Sequence, residues 1–311
     1  MTDATMSPIR LALVGIGTIA RDQHLPAIAQ CPRFELVATA SHAGTVANIP
    51  GYETLEQLLA TGHKLDAVSI CTPPVGRGAI AALAIDAGLH VMIEKPPGVT
   101  LSEVVELDAR ARAAGTTLFT AWHSREAAGV ADARAWLANR TIEGVTIAWR
   151  EDIRRWHPGQ DWILGPGGFG VFDPGINALS IATTILPDPI TVEAADLGVP
   201  SNRESPLTAS LRMRSGCAPV SAEFDFLHQG QQQWDILVDT DAGRLSLREG
   251  GRMLEVDGSI VDGTDQEYPR LYARFATLIE TRQSDVDARP LRLVADTFLL
   301  ASRHGTPEFT W

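Results

Sequence analysis

Short apolar runs alternate with helical stretches along the first 123 residues, and the apolar runs predict the strands of a sheet. Strands are predicted at Ile9–Val14, Phe34–Ala40, Asp66–Cys71, His90–Ile93 and Thr117–Ala121. Between them the pattern predicts one helix that ends at Gln30, followed by Leu55–Ala60, Arg77–Gly88 and Leu101–Ala114. Alternating strands and helices form βαβ units, and nearly continuous apolar strands fit a parallel sheet covered on both faces. Residues 1–123 are therefore predicted to form an α/β domain with a Rossmann-type doubly wound parallel sheet.

From residue 124 onward the pattern changes to consecutive short strands joined by hairpin turns. The predicted strands are Val145–Trp149, Ile190–Leu197, Ala209–Met213, Ser221–Phe226, Trp234–Asp239 and Arg244–Arg248. The predicted helices are Ala128–Ala138 before them and Tyr268–Thr281 and Pro290–His304 after them. This order favours antiparallel pairing. Residues 124–311 are predicted to form an α+β domain with a mostly antiparallel open sheet, which binds the substrate and supplies any oligomer contact.

Composition narrows the class of protein. The 311 residues include 26 Lys and Arg against 38 Asp and Glu, a formal net charge of −12. Nucleic acid is disfavoured because its phosphates require a basic face, and no apolar run approaches the roughly 20 residues that span a bilayer. Cys31, Cys71 and Cys217 are too few and too widely spaced for a disulfide framework or a metal pattern. Because the first ten residues also lack the plan of a signal peptide, we expect a cytoplasmic protein.

A glycine-rich turn follows the first strand. It reads Gly15-Ile-Gly17-Thr18-Ile19-Ala, a GxGxxA pattern. The first glycine permits a tight turn, and the second lets a pyrophosphate approach the backbone at a helix N-terminus. We predict that Gly15, Gly17, Thr18 and Ile19 contact a dinucleotide.

The position that usually carries an Asp or Glu for the adenosine ribose holds Ser41 and His42 instead. Without a carboxylate to repel a 2′-phosphate, both NADP and NAD are permitted, and we favour NADP slightly. The alternative is that both residues are solvated loop positions.

Two proline-stiffened motifs follow the third and fourth strands, at carboxyl ends where open α/β sheets bind ligands. They are CTPP (71–74) and EKPP (94–97), and Lys95 is one of only two lysines in the chain. An ammonium over a nicotinamide can bind a substrate hydroxyl and assist its loss of a proton, whereas the alternative is a surface lysine. The residues predicted to contact the cofactor here are Cys71, Thr72, Pro73, Glu94 and Lys95.

The second domain contains polar residues suited to a polyol. Glu151 opens the stretch EDIRRWHPGQ at a strand end, and Asp173-Pro-Gly-Ile-Asn177 opens a helix with Asp173 and Asn177 on one face. A plain N-cap is the alternative for Asp173. Further aromatic and imidazole groups suggest the lining of a polyol site, although each tryptophan alone is typical of a core: Trp156, Trp162, Trp234, His123 and His157.

These motifs together resemble the Gfo/Idh/MocA family of sugar oxidoreductases. The GxGxxA turn, CTPP, EKPP and DPGIN are family-wide features. The longer strings RDQHLPAI, AWHSR, EDIRRWHPGQ, GVFDPGINALSI and DVDARPLRLVAD resemble its bacterial galactose- and arabinose-oxidising branch, over essentially the whole chain. The resemblance implies oxidation of an aldopyranose of the D-galactose, L-arabinose or D-fucose type at the anomeric carbon, with hydride passing to the nicotinamide and an aldonolactone as product. The alternatives are a dehydrogenase of another aldose or polyol of the inositol type, and a non-catalytic sugar or dinucleotide sensor.

The resemblance also implies roles for single residues. Lys95 matches the family lysine that binds the reacting hydroxyl, and Asp173 is our choice of general base because Asn177 replaces the histidine that serves as base in much of the family. Asn177 would then orient the sugar. Residues that match the sugar-binding positions of the branch are Glu151, His157 and Trp234, together with His123 and Trp156. We expect no metal, since hydride transfer needs none, and a homodimer formed through the exposed face of the second sheet.

Overall fold

The computed structural model of the chain describes residues 7–311. The chain folds into two compact units. Of the described residues, the first unit comprises 7–121 and Tyr268–Asp287, and the second comprises Trp122–Glu267 and Ala288–Trp311.

The break after Ala121 lies near the boundary expected at residue 123, but residues 268–287 return to the first unit. The reason for this difference is packing, because Tyr272 and Phe275 of this stretch are buried in a core cluster of the first unit. A contact between residues so far apart in the chain leaves no signal in the local pattern.

The strands are numbered in chain order. They are β1 (Ile9–Val14), β2 (Phe34–Ala40), β3 (Gly51–Tyr52), β4 (Ala67–Ile70), β5 (His90–Glu94), β6 (Leu118–Ala121), β7 (Ile142–Arg150), β8 (Ile190–Pro200), β9 (Thr208–Ser215), β10 (Ala218–Asp225), β11 (Gln233–Thr240), β12 (Gly243–Arg248), β13 (Met253–Val256), β14 (Ser259–Asp262) and β15 (Ala301–Thr306). The helices are α1 (Leu25–Gln30), α2 (Leu55–Ala60), α3 (Arg77–Asp86), α4 (Leu101–Ala114), α5 (Val130–Leu137), α6 (Ile153–Trp156), α7 (Phe172–Ile185), α8 (Glu267–Thr281) and α9 (Arg289–Leu300).

The first unit contains a parallel sheet in the order β3-β2-β1-β4-β5-β6. Because side chains of a strand point alternately to its two faces, Leu11 and Leu13 of β1 enter one core cluster and Ala12 and Val14 enter another. The sheet is thus covered on both faces, as predicted. The strand order reverses between β1 and β4, which is where doubly wound sheets bind ligands. The predicted Rossmann-type sheet is confirmed.

The second unit contains a nine-stranded sheet in the order β14-β13-β12-β11-β7-β10-β9-β8-β15. Its pairs are antiparallel except for β7 with β10 and β8 with β15. Helix α7 is buried along most of its length and packs against β7 and β11. The predicted α+β unit with a mostly antiparallel sheet is confirmed.

One predicted helix was too long. The stretch Pro290–His304 was expected to be helical throughout, but α9 ends at Leu300, and Ala301–Thr306 forms β15 on the edge of β8. Here the free backbone groups of a distant edge strand outweigh the local helical pattern. Among residues 7–311, no helix combines the length and apolar character that a membrane crossing requires.

Candidate functional site

The turn after β1 contains two glycines. The fold requires a glycine at position 15, whereas a larger residue would fit at position 17. Gly15 has a φ of +88°, and a Cβ at this position would lie 2.8 Å from the Thr72 nitrogen. A side chain would therefore strain the turn and collide with the loop after β4. At Gly17, by contrast, a Cβ would meet no described residue within 4 Å apart from its chain neighbours. Gly17, Thr18 and Ile19 are exposed, so their backbone is accessible to a ligand.

The loop after β2 is tied to this turn. The Ser41 hydroxyl accepts a hydrogen bond from the Ile16 N–H at 2.9 Å, whereas His42 is exposed. Arg21 Nη2 donates to the Thr45 carbonyl at 3.3 Å and so holds a guanidinium beside the loop. Ser41 therefore shapes the turn, and the cation bonded to the loop backbone belongs to a residue that the sequence did not single out.

A buried arginine joins the loops that carry CTPP and EKPP. Arg77 Nε donates to the Thr72 carbonyl at 2.8 Å, and Nη1 donates to the carbonyls of Glu94 and Pro96, both at 2.6 Å. Charge-assisted bonds to three carbonyls hold the two loops in a fixed geometry. Within the described residues, the buried Thr72 Oγ1 has no hydrogen-bond partner.

The side chain of Glu94 lies in a buried polar network. Glu94 is 4% exposed and His24 is fully buried. The Tyr268 hydroxyl donates to Glu94 Oε1 at 2.7 Å, and His24 Nε2 lies 3.1 Å from the same oxygen. The other oxygen, Oε2, accepts from the Lys95 backbone N–H at 2.9 Å. His24 Nδ1 lies 2.8 Å from the Tyr272 hydroxyl, so both ring nitrogens are engaged.

Burial opposes charge on an imidazole and by itself would lower the pKa of His24. The Cys71 thiol, the Tyr272 hydroxyl and the Glu94 carboxylate act in the opposite direction, and the pKa of His24 lies well above its ordinary value of 6.5. Among these neighbours the carboxylate is the one that is ordinarily charged at neutral pH. The protonated ring therefore forms a buried ion pair with Glu94, with His24 Nε2 3.1 Å from Glu94 Oε1.

The first unit fits a dinucleotide. The open backbone at Gly17 and the carboxyl ends of β1 and β4 meet at the reversal of strand order, together with Thr72 Oγ1, which has no hydrogen-bond partner in the described part of the chain. Lys95 follows at the end of β5, is half-buried, and is joined to Pro96 by a cis peptide bond. All predicted cofactor contacts lie in this unit, and their individual roles stay predictions: Gly15, Gly17, Thr18, Ile19, Ser41, His42, Cys71, Thr72, Pro73, Glu94 and Lys95.

In the second unit, a tryptophan wall stands beside a buried carboxylate. Glu151 follows β7 and is 3% exposed, and its Oε2 accepts a hydrogen bond from Trp234 Nε1 at 2.7 Å. Trp234 stacks on Trp149 of the neighbouring strand, with ring centroids 5.9 Å apart. Trp156 lies tilted against Trp234 at 5.4 Å. The apolar rings and the carboxylate together suit a ligand with one apolar face and several hydroxyl groups.

His157 lies between two carboxylates. Its Nε2 is 3.7 Å from Glu151 Oε1, and its Nδ1 is 3.8 Å from Asp173 Oδ2. Both distances exceed a hydrogen bond. The ring packs edge-on against Phe226 at 5.3 Å, and within residues 7–311 its buried Nδ1 has no hydrogen-bond partner. Because buried polar atoms are usually paired, this nitrogen points to a ligand.

Helix α7 positions Asp173 and Asn177. The helix begins at Phe172 with Val171 as its N-cap residue, so the alternative that Asp173 is the N-cap is wrong. Asp173 lies in the first helical turn and is 4% exposed. Asn177, one turn later, is half-buried, although both of its neighbours are buried. The two side chains share a helix face, as predicted.

His123 and Trp162 lie in short 3₁₀ turns of the second unit. His123 Nδ1 is 2.5 Å from Glu267 Oε2, so this imidazole has a carboxylate partner. The structure thus brings together Glu151, His157, Asp173, Trp234 and Trp156 through the contacts above. Whether these residues and His123 bind a sugar stays a prediction.

Sequence reasoning missed three cations of the first unit. In the sequence, Arg77 is one arginine at the start of an alanine-rich helix, and its pattern indicates no role for it. Arg21 and His24 belong to the stretch RDQHLPAI, which contributed to the family resemblance but indicated no role for either residue. Their partners are distant in the chain, and His24 and Glu94 are separated by 70 positions. The sequence pattern did not indicate that His24 and Arg77 are buried.

Comparison with known proteins defines the class. Residues 9–122 match the model of an oxidoreductase family with an NAD-binding Rossmann fold, GFO_IDH_MocA. Over 306 residues the chain is 45% identical to a galactose 1-dehydrogenase from Pseudomonas fluorescens, in an alignment that covers 98% of this chain and 99% of that protein. The chain therefore belongs to the Gfo/Idh/MocA family, and the prediction of an oxidoreductase of this family is confirmed.

Two solved structures show how far the likeness extends. A D-galactose-1-dehydrogenase from Rhizobium etli has a TM-score of 0.94 and 51% identity, covering 98% of this chain and 99% of that one. The 3-ketoreductase KijD10 from Actinomadura kijaniata, crystallised with NADP and TDP-benzene, has a TM-score of 0.82 at 20% identity, covering 97% and 100%. The second likeness shows the fold alone. The family and the two galactose dehydrogenases support a dinucleotide-dependent sugar oxidoreductase.

Proposed function

We propose that the chain is an aldose 1-dehydrogenase that oxidises D-galactose, L-arabinose and D-fucose at the anomeric carbon to the aldonolactone. The observation that carries the proposal is the group of Glu151, His157 and Asp173 in the second unit. It offers two buried carboxylates and, beside a tryptophan wall, an imidazole nitrogen that has no hydrogen-bond partner among residues 7–311. Such a set matches a sugar, which presents hydroxyl groups at its rim and C–H groups on its faces. The full-length similarity to galactose 1-dehydrogenases supports the same substrate class.

The reaction removes a hydride from the anomeric carbon and a proton from the hydroxyl on it, and the C=O bond of a lactone forms. The nicotinamide, when bound, accepts the hydride. We assign Asp173 as the base that takes the proton and Lys95 as the ammonium that binds the reacting oxygen and stabilises its developing negative charge. Asn177 holds the sugar in register with Asp173.

Discrimination between sugars follows from the buried polar groups of the second unit. Galactose, arabinose and fucose share the configuration at the ring carbons that these groups would read, whereas glucose inverts the carbon-4 hydroxyl. A misplaced hydroxyl leaves buried partners such as Glu151 and His157 unpaired, which lowers kcat/KM by roughly 10- to 100-fold.

We infer that NADP is accepted as well as NAD. The loop after β2 carries no carboxylate at Ser41 or His42 that would repel a 2′-phosphate. The Arg21 guanidinium beside this loop supports the proposal, because arginine is well suited to bind phosphate.

Substitution of each charged group tests the assignment. Lys95→Ala and Asp173→Asn are expected to reduce kcat by on the order of a hundredfold or more, while both variants still bind the dinucleotide. Lys64→Ala is the matched control, because Lys64 is the other lysine of the chain and is exposed. Near-normal turnover of either variant would remove that residue from the mechanism.

We further propose a homodimer that forms through the outer face of the second unit's sheet. The proposal is supported by the alternation of buried and exposed positions along β9 and β10, which leaves one face of the sheet exposed. Arg212, Arg214 and Glu223 lie on this exposed face. Sedimentation velocity should give the mass of a dimer, and charge reversal at Arg212 should shift it toward the monomer. The cytoplasmic location stays a prediction.

A further inference from the structure

Residues 309–311 bind the loop that carries Trp156 and His157. We call residues 152–163 the substrate loop and residues 309–311 the clasp. The substrate loop contains α6 and a 3₁₀ turn at Asp161–Ile163. Within the clasp, Phe309 is 3% exposed, and its ring packs edge-on against Trp311 at 5.3 Å. The clasp therefore contains one buried aromatic ring with a second ring packed against it.

The clasp binds one end of the substrate loop through Arg154. Arg154 Nη2 donates to the Thr310 carbonyl at 2.8 Å, and its guanidinium carbon lies 4.6 Å from the centroid of the Phe309 ring. A hydrogen bond and a cation–π contact from one side chain fix its direction more firmly than either would alone.

The clasp binds the other end of the loop through Asp161. Trp311 Nε1 donates to Asp161 Oδ1 at 2.8 Å, and Arg203 Nη1 donates to the same oxygen at 3.2 Å. The Arg203 guanidinium also lies 5.8 Å from the Phe309 ring. Asp161 therefore receives two donors from outside the loop.

The clasp is itself anchored by a reciprocal pair of hydrogen bonds. Asn202 Nδ2 donates to the Phe309 carbonyl at 3.0 Å, and the Phe309 N–H donates to Asn202 Oδ1 at 2.9 Å. This amide pairs with the backbone as a neighbouring strand would. The loop ends are thus held by residues that belong to neither the loop nor the tryptophan wall.

We propose that the clasp is a positioning element for sugar binding: it holds both ends of the substrate loop so that Trp156 stays against Trp234 and His157 stays between Glu151 and Asp173. The inference rests on the proposed function. Its physical reason is entropic, because a loop that is ordered before the sugar arrives loses less freedom on binding. Each exposed contact is weak alone, but several that share Asp161 and Phe309 form a network.

The test uses the 311-residue protein with Arg154→Met, with Trp311→Phe and with both substitutions together. Arg303→Met is the matched control, because Arg303 makes the same two kinds of contact with Phe298, a carbonyl hydrogen bond at 3.1 Å and a ring contact at 5.9 Å. For the double variant we expect KM for D-galactose to rise roughly tenfold, while kcat and the dinucleotide Kd change less than about twofold. We also expect faster hydrogen exchange at the backbone amides of residues 155–162, measured without sugar. Arg303→Met should change neither quantity.

The two measurements separate this inference from the function on which it rests. Unchanged exchange in the double variant would overturn the clasp, and faster exchange with an unchanged KM would overturn its role in sugar binding. If the wild-type protein oxidises no sugar, the proposed function has failed. The exchange comparison then still decides whether residues 309–311 hold the loop.

Discussion

Replacement of Glu94 by glutamine should destabilise the first unit, because glutamine has one oxygen where the network uses two. Glu94 Oε1 accepts a hydrogen bond from the Tyr268 hydroxyl and lies beside His24 Nε2. Glu94 Oε2 accepts a hydrogen bond from the Lys95 backbone N–H. With a single side-chain oxygen, the Glu94→Gln variant would leave either the tyrosine and histidine or the backbone N–H facing an NH₂ group. His24 also loses its charged partner. Removal of one member of a buried ion pair lowers the free energy of unfolding by about 3 kcal/mol, which corresponds to a Tm lower by roughly 6–12 °C.

The Tm difference between wild type and Glu94→Gln should depend on pH. Since the pKa of His24 is raised in the folded state, the protonated ring stabilises the fold below the ordinary histidine pKa, and this contribution is lost as pH rises through the raised value. In Glu94→Gln the buried ring has no carboxylate, so burial favours its neutral form. The Tm difference between wild type and variant should therefore be largest near about pH 5.5 and smaller near about pH 9.

Thermal unfolding followed by circular dichroism at both pH values provides the assay. Asp86→Asn is the matched control, because it removes the carboxylate of an exposed ion pair with Arg110 in the same unit. Exposed pairs contribute about 0–1 kcal/mol, so this variant should stay close to wild type. If the Tm of Glu94→Gln equals that of the control, or if the difference grows as pH rises, the buried ion pair is not what holds His24.

Three further predictions concern ligand binding. Gly17→Ala should lower the affinity for the dinucleotide by on the order of tenfold, measured by titration calorimetry, while Tm changes little. Gly15→Ala should lower both the affinity for the dinucleotide and the Tm measured by thermal unfolding. Trp234→Phe removes the indole N–H that donates a hydrogen bond to Glu151 Oε2. Because this leaves a buried carboxylate oxygen without its donor, KM for galactose should rise by roughly tenfold. An unchanged KM would refute the role of this hydrogen bond. His42→Arg should raise the ratio of kcat/KM for NADP over NAD, and an unchanged ratio would show that position 42 does not read the 2′-phosphate.

The local pattern predicted the first unit well, because strands buried on both faces are continuous apolar runs. It missed β3, which is only Gly51–Tyr52, and β15, which forms on a distant edge strand. It also missed β13 and β14, whose short runs carry few buried residues. Each of these depends on pairing with a neighbour rather than on its own composition.

For the candidate site, the sequence predicted the residue types and their strand and helix ends, but not the direction of each side chain. The cofactor contact of Glu94 stays a prediction, but the sequence did not indicate that its carboxyl group bonds to His24 and Tyr268. His157 was expected near a sugar, but its place between Glu151 and Asp173 depends on how the substrate loop is held. Long-range packing decides such directions, and a single sequence does not contain it.

The most direct test of the account is reduction of NAD and NADP, followed by absorbance at about 340 nm, with purified protein and a panel of sugars. The panel contains D-galactose, L-arabinose, D-fucose, D-glucose and myo-inositol. We predict reduction with the first three sugars and a kcat/KM at least roughly tenfold lower with D-glucose. Equal rates with D-galactose and D-glucose would contradict the recognition of carbon 4. No reduction with any sugar, in protein shown to bind the dinucleotide, would contradict the proposed aldose 1-dehydrogenase itself.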